Sequence, residues 1–212
     1  MNTRLFLMRH GETVSNINLI YQGKGDSPLT ELGREEAGQL GAALANEKFA
    51  AIYSSGLTRS LETARIIGEK CKISAITKVP DLNERDYGIF EGLGFEEIRR
   101  QYSELYELWI THPYKASIPE AETLDKFQAR CVLAIQKIVA SHPGQNICVV
   151  GHGGTNRCIL FHYMNLALEN FWRIKQDNCC INTIEFDRHP KVTLLNSTWF
   201  LGEKRVSRTG IY

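Results

Sequence analysis

The chain has 212 residues, of which 43% are hydrophobic, so one domain of ordinary to large size can bury a sizeable core. Its 25 basic and 24 acidic residues give a formal net charge of +1, which argues against a dedicated nucleic-acid binder. No stretch approaches the ~18 apolar residues of a membrane span, and the apolar run at residues 5–8 is too short for a signal peptide. We therefore expect a cytoplasmic protein that binds neither nucleic acid nor membrane.

The first predicted element is a buried strand formed by the apolar run at residues 5–8, which is followed directly by Arg9, His10 and Gly11. In open α/β sheets, ligands bind in the crevice at the carboxyl ends of the strands. A neutral imidazole there can act as a nucleophile, and an adjacent guanidinium can hold a phosphate by two parallel hydrogen bonds. The same pattern also fits an ordinary polar strand end, so it does not define a site on its own.

The next strand-like run, residues 50–54, leads into a segment whose apolar residues have helical spacing from Leu57 onwards. Ser54 or Ser55 can cap this helix, which places Arg59 in its first turn. A cation in the first turn opposes the helix dipole unless an anion compensates it. A phosphate bound at the helix start would compensate the charge, whereas the alternative is an exposed arginine whose charge is solvated.

A later apolar run, residues 147–150, ends in a second histidine, His152, which is followed by two glycines. The run predicts another buried strand, although periodicity alone cannot settle so short a segment. If this strand and the first one are neighbours in a parallel sheet, His10 and His152 face one crevice. Either histidine could instead be a buried side chain that is bonded to a backbone carbonyl.

The order of the predicted elements indicates an α/β fold. Strand-like runs occur near residues 4–9, 50–54, 74–79, 147–151, 181–187 and 192–196, and helical patterns near 30–46, 57–70, 95–110, 123–141 and 154–167. This alternation predicts three layers: a mainly parallel sheet with helices on both faces. Thr30 is a suitable helix cap, and residues 186–191 are typical of a turn in an antiparallel hairpin. We expect the tail after Gly202 to be poorly ordered.

We treat residues 1–212 as one domain with a small, mostly helical insertion at about 93–122, near the active site. The aromatic residues of the insertion could cover the site, or they could form the apolar face of a surface helix. They are Phe95, Tyr102, Tyr106, Trp109 and Tyr114. The six cysteines form no Cys-x-x-Cys pair, which makes a zinc site improbable; we expect most of them to be small buried hydrophobic residues.

Four segments together resemble the histidine phosphatase superfamily, the phosphoglycerate mutase-like proteins. The Arg-His-Gly strand end of that family corresponds to residues 9–11, and its Ser-x-x-x-Arg segment to residues 55–59. Its acidic segment, Leu-x-Glu-x-x-x-Gly-x-x-Glu-Gly, corresponds to residues 82–92, and its second His-Gly to residues 152–153. The motifs occur in the order of the family, and the resemblance extends over roughly residues 4 to 200.

The resemblance implies a site for phosphoryl transfer, a reaction that depends on positioning and charge stabilisation. His10 would attack phosphorus and become a phosphohistidine. Arg9 and Arg59 would clamp the phosphoryl oxygens with their planar forks, and His152 would stabilise the developing charge as a cation or as a donor. Because fixed cations occupy the site, we expect neither a metal ion nor a cofactor.

A carboxylic acid must protonate the leaving alkoxide, which is too basic to depart unaided. The resemblance assigns this role to Glu84, while Asp86 and Glu91 are competing candidates nearby in the sequence. The resemblance also places Asn16 and Gln22, in the loop after the first histidine, at positions where the family contacts the phosphate or the substrate.

Two branches of the family remain to be compared. The acidic segment around Tyr87-Gly88 resembles the cofactor-dependent mutases, whereas the glycines after His152 and the chain length resemble the phosphatases. The mutases carry an arginine pair in the insertion that grips a substrate carboxylate. Residues 108–113 contain no such pair, and Arg99-Arg100 lies in a helical pattern, where adjacent side chains point in different directions.

We therefore favour a metal-independent phosphatase that hydrolyses a small phosphomonoester through a phosphohistidine. α-Ribazole phosphate, phosphoserine, phosphoglycerate derivatives and sugar phosphates are candidate substrates. The alternatives are a cofactor-dependent phosphoglycerate mutase and a non-catalytic member of the family that binds a phosphorylated ligand. The expected partner is a small phosphorylated metabolite, and a homodimer is compatible with these expectations.

Overall fold

The computed structural model describes residues 2–202. Its strands are β1 (Thr3–Arg9), β2 (Phe49–Ser54), β3 (Ile76–Lys78), β4 (Asn146–Gly151), β5 (Ile181–Phe186) and β6 (Lys191–Ser197). Its α-helices are α1 (Val14–Ile17), α2 (Glu31–Leu44), α3 (Thr58–Cys71), α4 (Phe95–Gln101), α5 (Ser103–Thr111), α6 (Leu124–Ala140) and α7 (Gly153–Tyr163). Short 3-10 helices cover Pro80–Leu82, Gly88–Phe90, Leu168–Arg173 and Trp199–Leu201.

The six strands form one sheet in the order β3-β2-β4-β1-β5-β6. The first four strands of this order pair in parallel, while β5 pairs antiparallel with β1 and with β6. The mainly parallel α/β fold and the late antiparallel hairpin are therefore confirmed. The two strands that precede His10 and His152 are direct neighbours, which is the arrangement that the two-histidine hypothesis required.

Helices cover both faces of the sheet. One core joins Leu5 and Leu7 of β1 to residues of α6 and α7, among them Phe127 and Phe161. The other core joins the alternate residues of β1 to α2 and α3. Strands buried on both faces read as continuous apolar runs in the sequence, which is why β1 and β4 are recognisable. The three-layer arrangement follows from this division.

The ends of the helices follow local sequence signals only in part. The Thr30 side chain accepts a hydrogen bond from Gly33 N and caps α2, as predicted. The prediction that Ser54 or Ser55 is the N-cap of α3 is wrong, because the N-cap is Leu57. The Ser55 hydroxyl nevertheless accepts a hydrogen bond from Leu57 N at 3.2 Å, so it supports the turn that leads into the helix.

The helix expected over residues 95–110 is two helices, because Tyr102 leaves the helical conformation (φ −135°, ψ 44°) between α4 and α5. Ile98 and Trp109 are fully buried and anchor these two helices to the core that contains α6 and α7. The expectation of a poorly ordered tail lies outside the described residues. Of the helices in residues 2–202, none is both long and apolar enough to cross a membrane.

Candidate active site

The candidate site lies where β1, β2 and β4 end. Because these strands run parallel and adjacent, the residues that follow them converge at one edge of the sheet. His10 N donates to Gly151 O at 3.1 Å, and Ser55 N donates to Val150 O at 3.2 Å. The structure thus brings together three segments that are about 45 and 100 residues apart in the chain, and a cavity opens beside them.

His10 is buried and lines this cavity. Its Nδ1 lies 2.8 Å from the Gly11 carbonyl oxygen, which can only accept, so Nδ1 carries the proton and Nε2 carries the lone pair. Burial, together with the charges of Arg59 and Arg9, lowers the pKa of His10 well below its usual value. The imidazole is therefore neutral near pH 7, as a nitrogen nucleophile must be.

The second histidine, His152, lies behind the first, with the two ring centroids 5.2 Å apart. Arg59 Nε donates to its Nδ1 at 3.2 Å, so its Nε2 carries the proton and donates to Ser55 Oγ at 2.7 Å. Burial, with the charges of Arg59 and His10, lowers the pKa of His152. In this state the ring has no N–H left for a phosphate, so the donor role predicted for it requires Arg59 Nε to move away.

Arg59 lies in the first turn of α3, as the sequence predicted, and its side chain is buried. Its guanidinium donates to the carbonyls of Gly23 and Gly25 at 2.9 and 2.7 Å. The anion at the helix start is Asp26, whose carboxylate accepts from Thr58 N at 2.6 Å and lies 3.5 Å from Arg59 Nη1. A carboxylate thus already lies at this helix start, and the contact between Arg59 and a phosphate stays a prediction.

Arg9, Asn16 and Gln22 also line the cavity. Arg9 Nη1 donates to Gln176 O at 2.6 Å, while its buried Nε–H has no hydrogen-bond partner. Asn16 Oδ1 accepts from the backbone and hydroxyl of Thr13, which leaves the amide nitrogen to donate to a ligand. The buried Oε1 of Gln22 is likewise unpartnered. These unsatisfied groups indicate that a polar ligand belongs here, because buried polar groups are nearly always bonded.

Of the three acidic candidates, Glu84 lines the cavity and is buried. Its two carboxylate oxygens accept from Arg85 N at 2.8 Å and from Gly154 N at 2.9 Å. Asp86 forms an ion pair with Lys24 at 2.5 Å, and Glu91 accepts from the backbone nitrogens of Lys24 and Tyr87. Asp86 and Glu91 therefore hold the loop around Lys24, and Glu84 is the candidate acid in reach of a ligand.

Several lining residues were not found from the sequence. They are Ser15, Leu19, Ile20, Tyr21, Tyr87, Arg157, Trp172, Lys175 and Gln176.

The aromatic residues of the insertion do not line the cavity. Trp109 is fully buried and donates from Nε1 to Tyr21 OH at 3.2 Å, so it supports the aromatic lining residue Tyr21 from behind. Arg99 and Arg100 are exposed on α4 and lie outside the lining. Arg157 could have been found from the sequence, because it lies one helical turn after the His-Gly-Gly segment at residues 152–154.

Among residues 2–202, His, Cys, Asp and Glu side chains form no group of three or more that could hold a metal ion. Of the six cysteines, five are buried and Cys71 is partly exposed, in agreement with the expectation of small hydrophobic residues.

The fold and the arrangement of this site define the class of protein to which the chain belongs. The model of the histidine phosphatase superfamily (branch 1) matches residues 5–198, so the chain is a member of that superfamily. The family expected from the four motifs is confirmed.

Relatives agree with this placement. Phosphoserine phosphatase 1 of Hydrogenobacter thermophilus is 31% identical and aligns over 94% of this chain and 95% of its own length. Phosphoglycerate mutase-like protein 4 of Arabidopsis thaliana is 37% identical over 73% of this chain and 68% of its own. Among solved structures, YhfR of Bacillus stearothermophilus superposes with a TM-score of 0.86 at 32% identity, covering 91% and 96% of the two chains. The α-ribazole phosphatase of Shigella flexneri superposes with a TM-score of 0.82 at 28% identity, covering 92% and 96%.

Proposed function

We propose that this protein is a phosphatase that hydrolyses a small phosphomonoester through a phosphohistidine on His10 and needs no metal ion. The observation that carries the proposal is the hydrogen bond from His10 Nδ1 to the Gly11 carbonyl. It fixes the tautomer and leaves Nε2 as the basic nitrogen of a ring that lines the cavity, which Arg9 lines as well. Relatives that are named phosphoserine phosphatase and α-ribazole phosphatase support the same reaction and name two candidate substrates.

In the first half of the reaction, His10 Nε2 attacks phosphorus and the bond to the leaving oxygen breaks. Arg9 and Arg59, which both line the cavity, stabilise the phosphoryl oxygens. The Asn16 amide adds a neutral donor. Glu84 gives its proton to the leaving oxygen, so that the product departs as an alcohol.

In the second half, water attacks the phosphohistidine, and the Nε2–P bond breaks. The Glu84 carboxylate, which lacks the proton that it gave away, accepts a proton from this water. Inorganic phosphate then leaves, and His10 returns to the neutral tautomer that the Gly11 carbonyl selects. The two steps use the same groups in opposite directions, so no further residue is required.

Activity on p-nitrophenyl phosphate is expected to survive excess EDTA and to be inhibited by vanadate. The cations of the proposed mechanism are arginines, which a chelator does not remove, and vanadate bound to His10 would mimic the trigonal-bipyramidal transition state. The measurement is the initial rate with and without EDTA, followed by a panel of phosphomonoesters without added metal. Loss of activity with EDTA that Mg²⁺ or Zn²⁺ restores would contradict the mechanism.

A further inference from the structure

A second unpaired guanidinium, that of Arg157, faces the same cavity as Arg9. The two groups converge beside Gly153, since a Cβ built on that glycine would lie 3.6 Å from Arg157 Nη1 and 3.7 Å from Arg9 Nε. Within residues 2–202, neither arginine forms an ion pair with a carboxylate. Two neighbouring cations that form no ion pair repel each other, so their arrangement favours an anionic ligand that contacts both.

Arg157 is held in place by contacts that leave its terminal nitrogens available. Its Nε donates to the Ile174 carbonyl at 2.7 Å, and its Cζ lies 4.9 Å from the centre of the Trp172 ring. Trp172 in turn donates from Nε1 to the Trp109 carbonyl at 2.9 Å. The fork is therefore oriented before a ligand arrives, and little side-chain entropy is lost on binding.

In the proposed mechanism, Arg9, Arg59 and the Asn16 amide already contact the transferred phosphate, so the phosphate does not need this third arginine. Lys175 adds a positive charge to the rim of the cavity, although Asp177 lies 2.9 Å from its ammonium group. Among the described residues that line the cavity, Glu84 is the only acidic one. The part of the cavity beyond the phosphate is thus basic, which suits a leaving group that carries its own negative charge.

We propose that Arg157 is a specificity-determining residue that binds a second anionic group, a carboxylate or a second phosphate, on the leaving group of the substrate. This proposal rests on the proposed phosphatase function. It defines the substrate class as small phosphomonoesters with two anionic groups close together. Planar guanidinium forks bind carboxylates and phosphates alike through two parallel hydrogen bonds. An experiment must therefore show whether the second anionic group is a carboxylate or a phosphate.

Three compounds with the same three-carbon chain and the same central hydroxyl provide the test. They are 3-phosphoglycerate, glycerol 1,3-bisphosphate and glycerol 3-phosphate, which carry a carboxylate, a second phosphate and a neutral hydroxymethyl group, respectively. For at least one of the two compounds with a second anionic group, the wild-type protein is expected to show a kcat/KM about 10- to 100-fold above that for glycerol 3-phosphate. This factor corresponds to a hydrogen bond between charged groups. The preferred compound identifies the second group.

Arg157→Ala should remove that preference, chiefly through KM, because binding of a non-reacting group is expressed equally in the ground state and the transition state. Its kcat/KM for glycerol 3-phosphate and p-nitrophenyl phosphate should fall much less than its kcat/KM for the preferred compound. Arg157→Lys, which keeps the charge but loses the fork, should recover part of the preference. Arg100→Ala is the matched control, since it removes an exposed arginine of α4 outside the cavity.

Equal loss on all substrates in Arg157→Ala would overturn the proposal, because it would place Arg157 on the transferred phosphate or in the fold. A wild-type protein that hydrolyses p-nitrophenyl phosphate but shows no preference among the three compounds would also overturn it, without any variant. Failure of the wild type to hydrolyse any phosphomonoester would instead contradict the proposed phosphatase function, so the two failures are distinguishable.

Discussion

Replacing His10 with alanine is expected to abolish phosphatase activity while the fold survives. The described cavity offers no second neutral imidazole nitrogen to attack phosphorus, because both nitrogens of His152 are engaged by Ser55 and Arg59. The fold should persist because the backbone of His10 keeps its hydrogen bonds to Gly151 and Cys179. Loss of the buried ring should lower the free energy of unfolding by about 0.5–3 kcal/mol, which a thermal melt would report.

His162→Ala is the matched control for this experiment, since it removes an exposed imidazole from α7 at a distance from the cavity lining. This variant should keep wild-type rates. Rapid quenching of the wild type with labelled substrate should trap phosphate on His10 that is labile in acid and stable in base, and His10→Ala should trap none. Substantial turnover by a folded His10→Ala protein would show that another group is the nucleophile.

The elements that frame the site could be predicted because their signals are local. The apolar runs that form β1 and β4 are each followed at once by a histidine and a glycine, so the sequence itself shows where each strand ends. The place of Arg59 in the first turn of α3 likewise followed from the helix pattern. What the patterns could not establish is adjacency, since the pairing of β1 with β4 joins segments about 140 residues apart.

The parts that were missed depend on contacts between distant segments. Asp26 accepts a hydrogen bond from Thr58 N at the start of α3, 32 residues away in the chain, and no periodicity in the sequence predicts that contact. The role of Glu91 is similar, because its carboxylate bonds to Lys24 N, 67 residues away. Tyr102 breaks the insertion helix although the pattern around it remains helical, and Ile98 before the break and Trp109 after it are both fully buried. Tertiary context overrides local propensity at such positions.

Changing Glu84 to glutamine is expected to lower activity by an amount that depends on the leaving group. Glutamine has no acidic proton to give, and general acid catalysis is typically worth about 10²–10⁴-fold. The kcat/KM for alkyl phosphates should fall by about that factor, whereas p-nitrophenolate departs largely unaided and should show a much smaller loss. The ratio kcat/KM is the quantity to compare, because it reports the steps up to phosphorylation of His10 and excludes the hydrolysis that all substrates share.

The dependence on the leaving group separates chemistry from structural damage. In the variant, the amide can satisfy only one of the two backbone donors, Arg85 N and Gly154 N, that the carboxylate satisfies now. Any resulting distortion would lower the rates for alkyl and aryl substrates alike. Asp86→Asn is the matched control: it also removes a carboxylate from this segment, but one that pairs with Lys24 outside the cavity, so it should leave the alkyl-to-aryl ratio unchanged. Equal losses on both substrates in Glu84→Gln would remove Glu84 from the acid role, and a changed ratio in Asp86→Asn would transfer that role to Asp86.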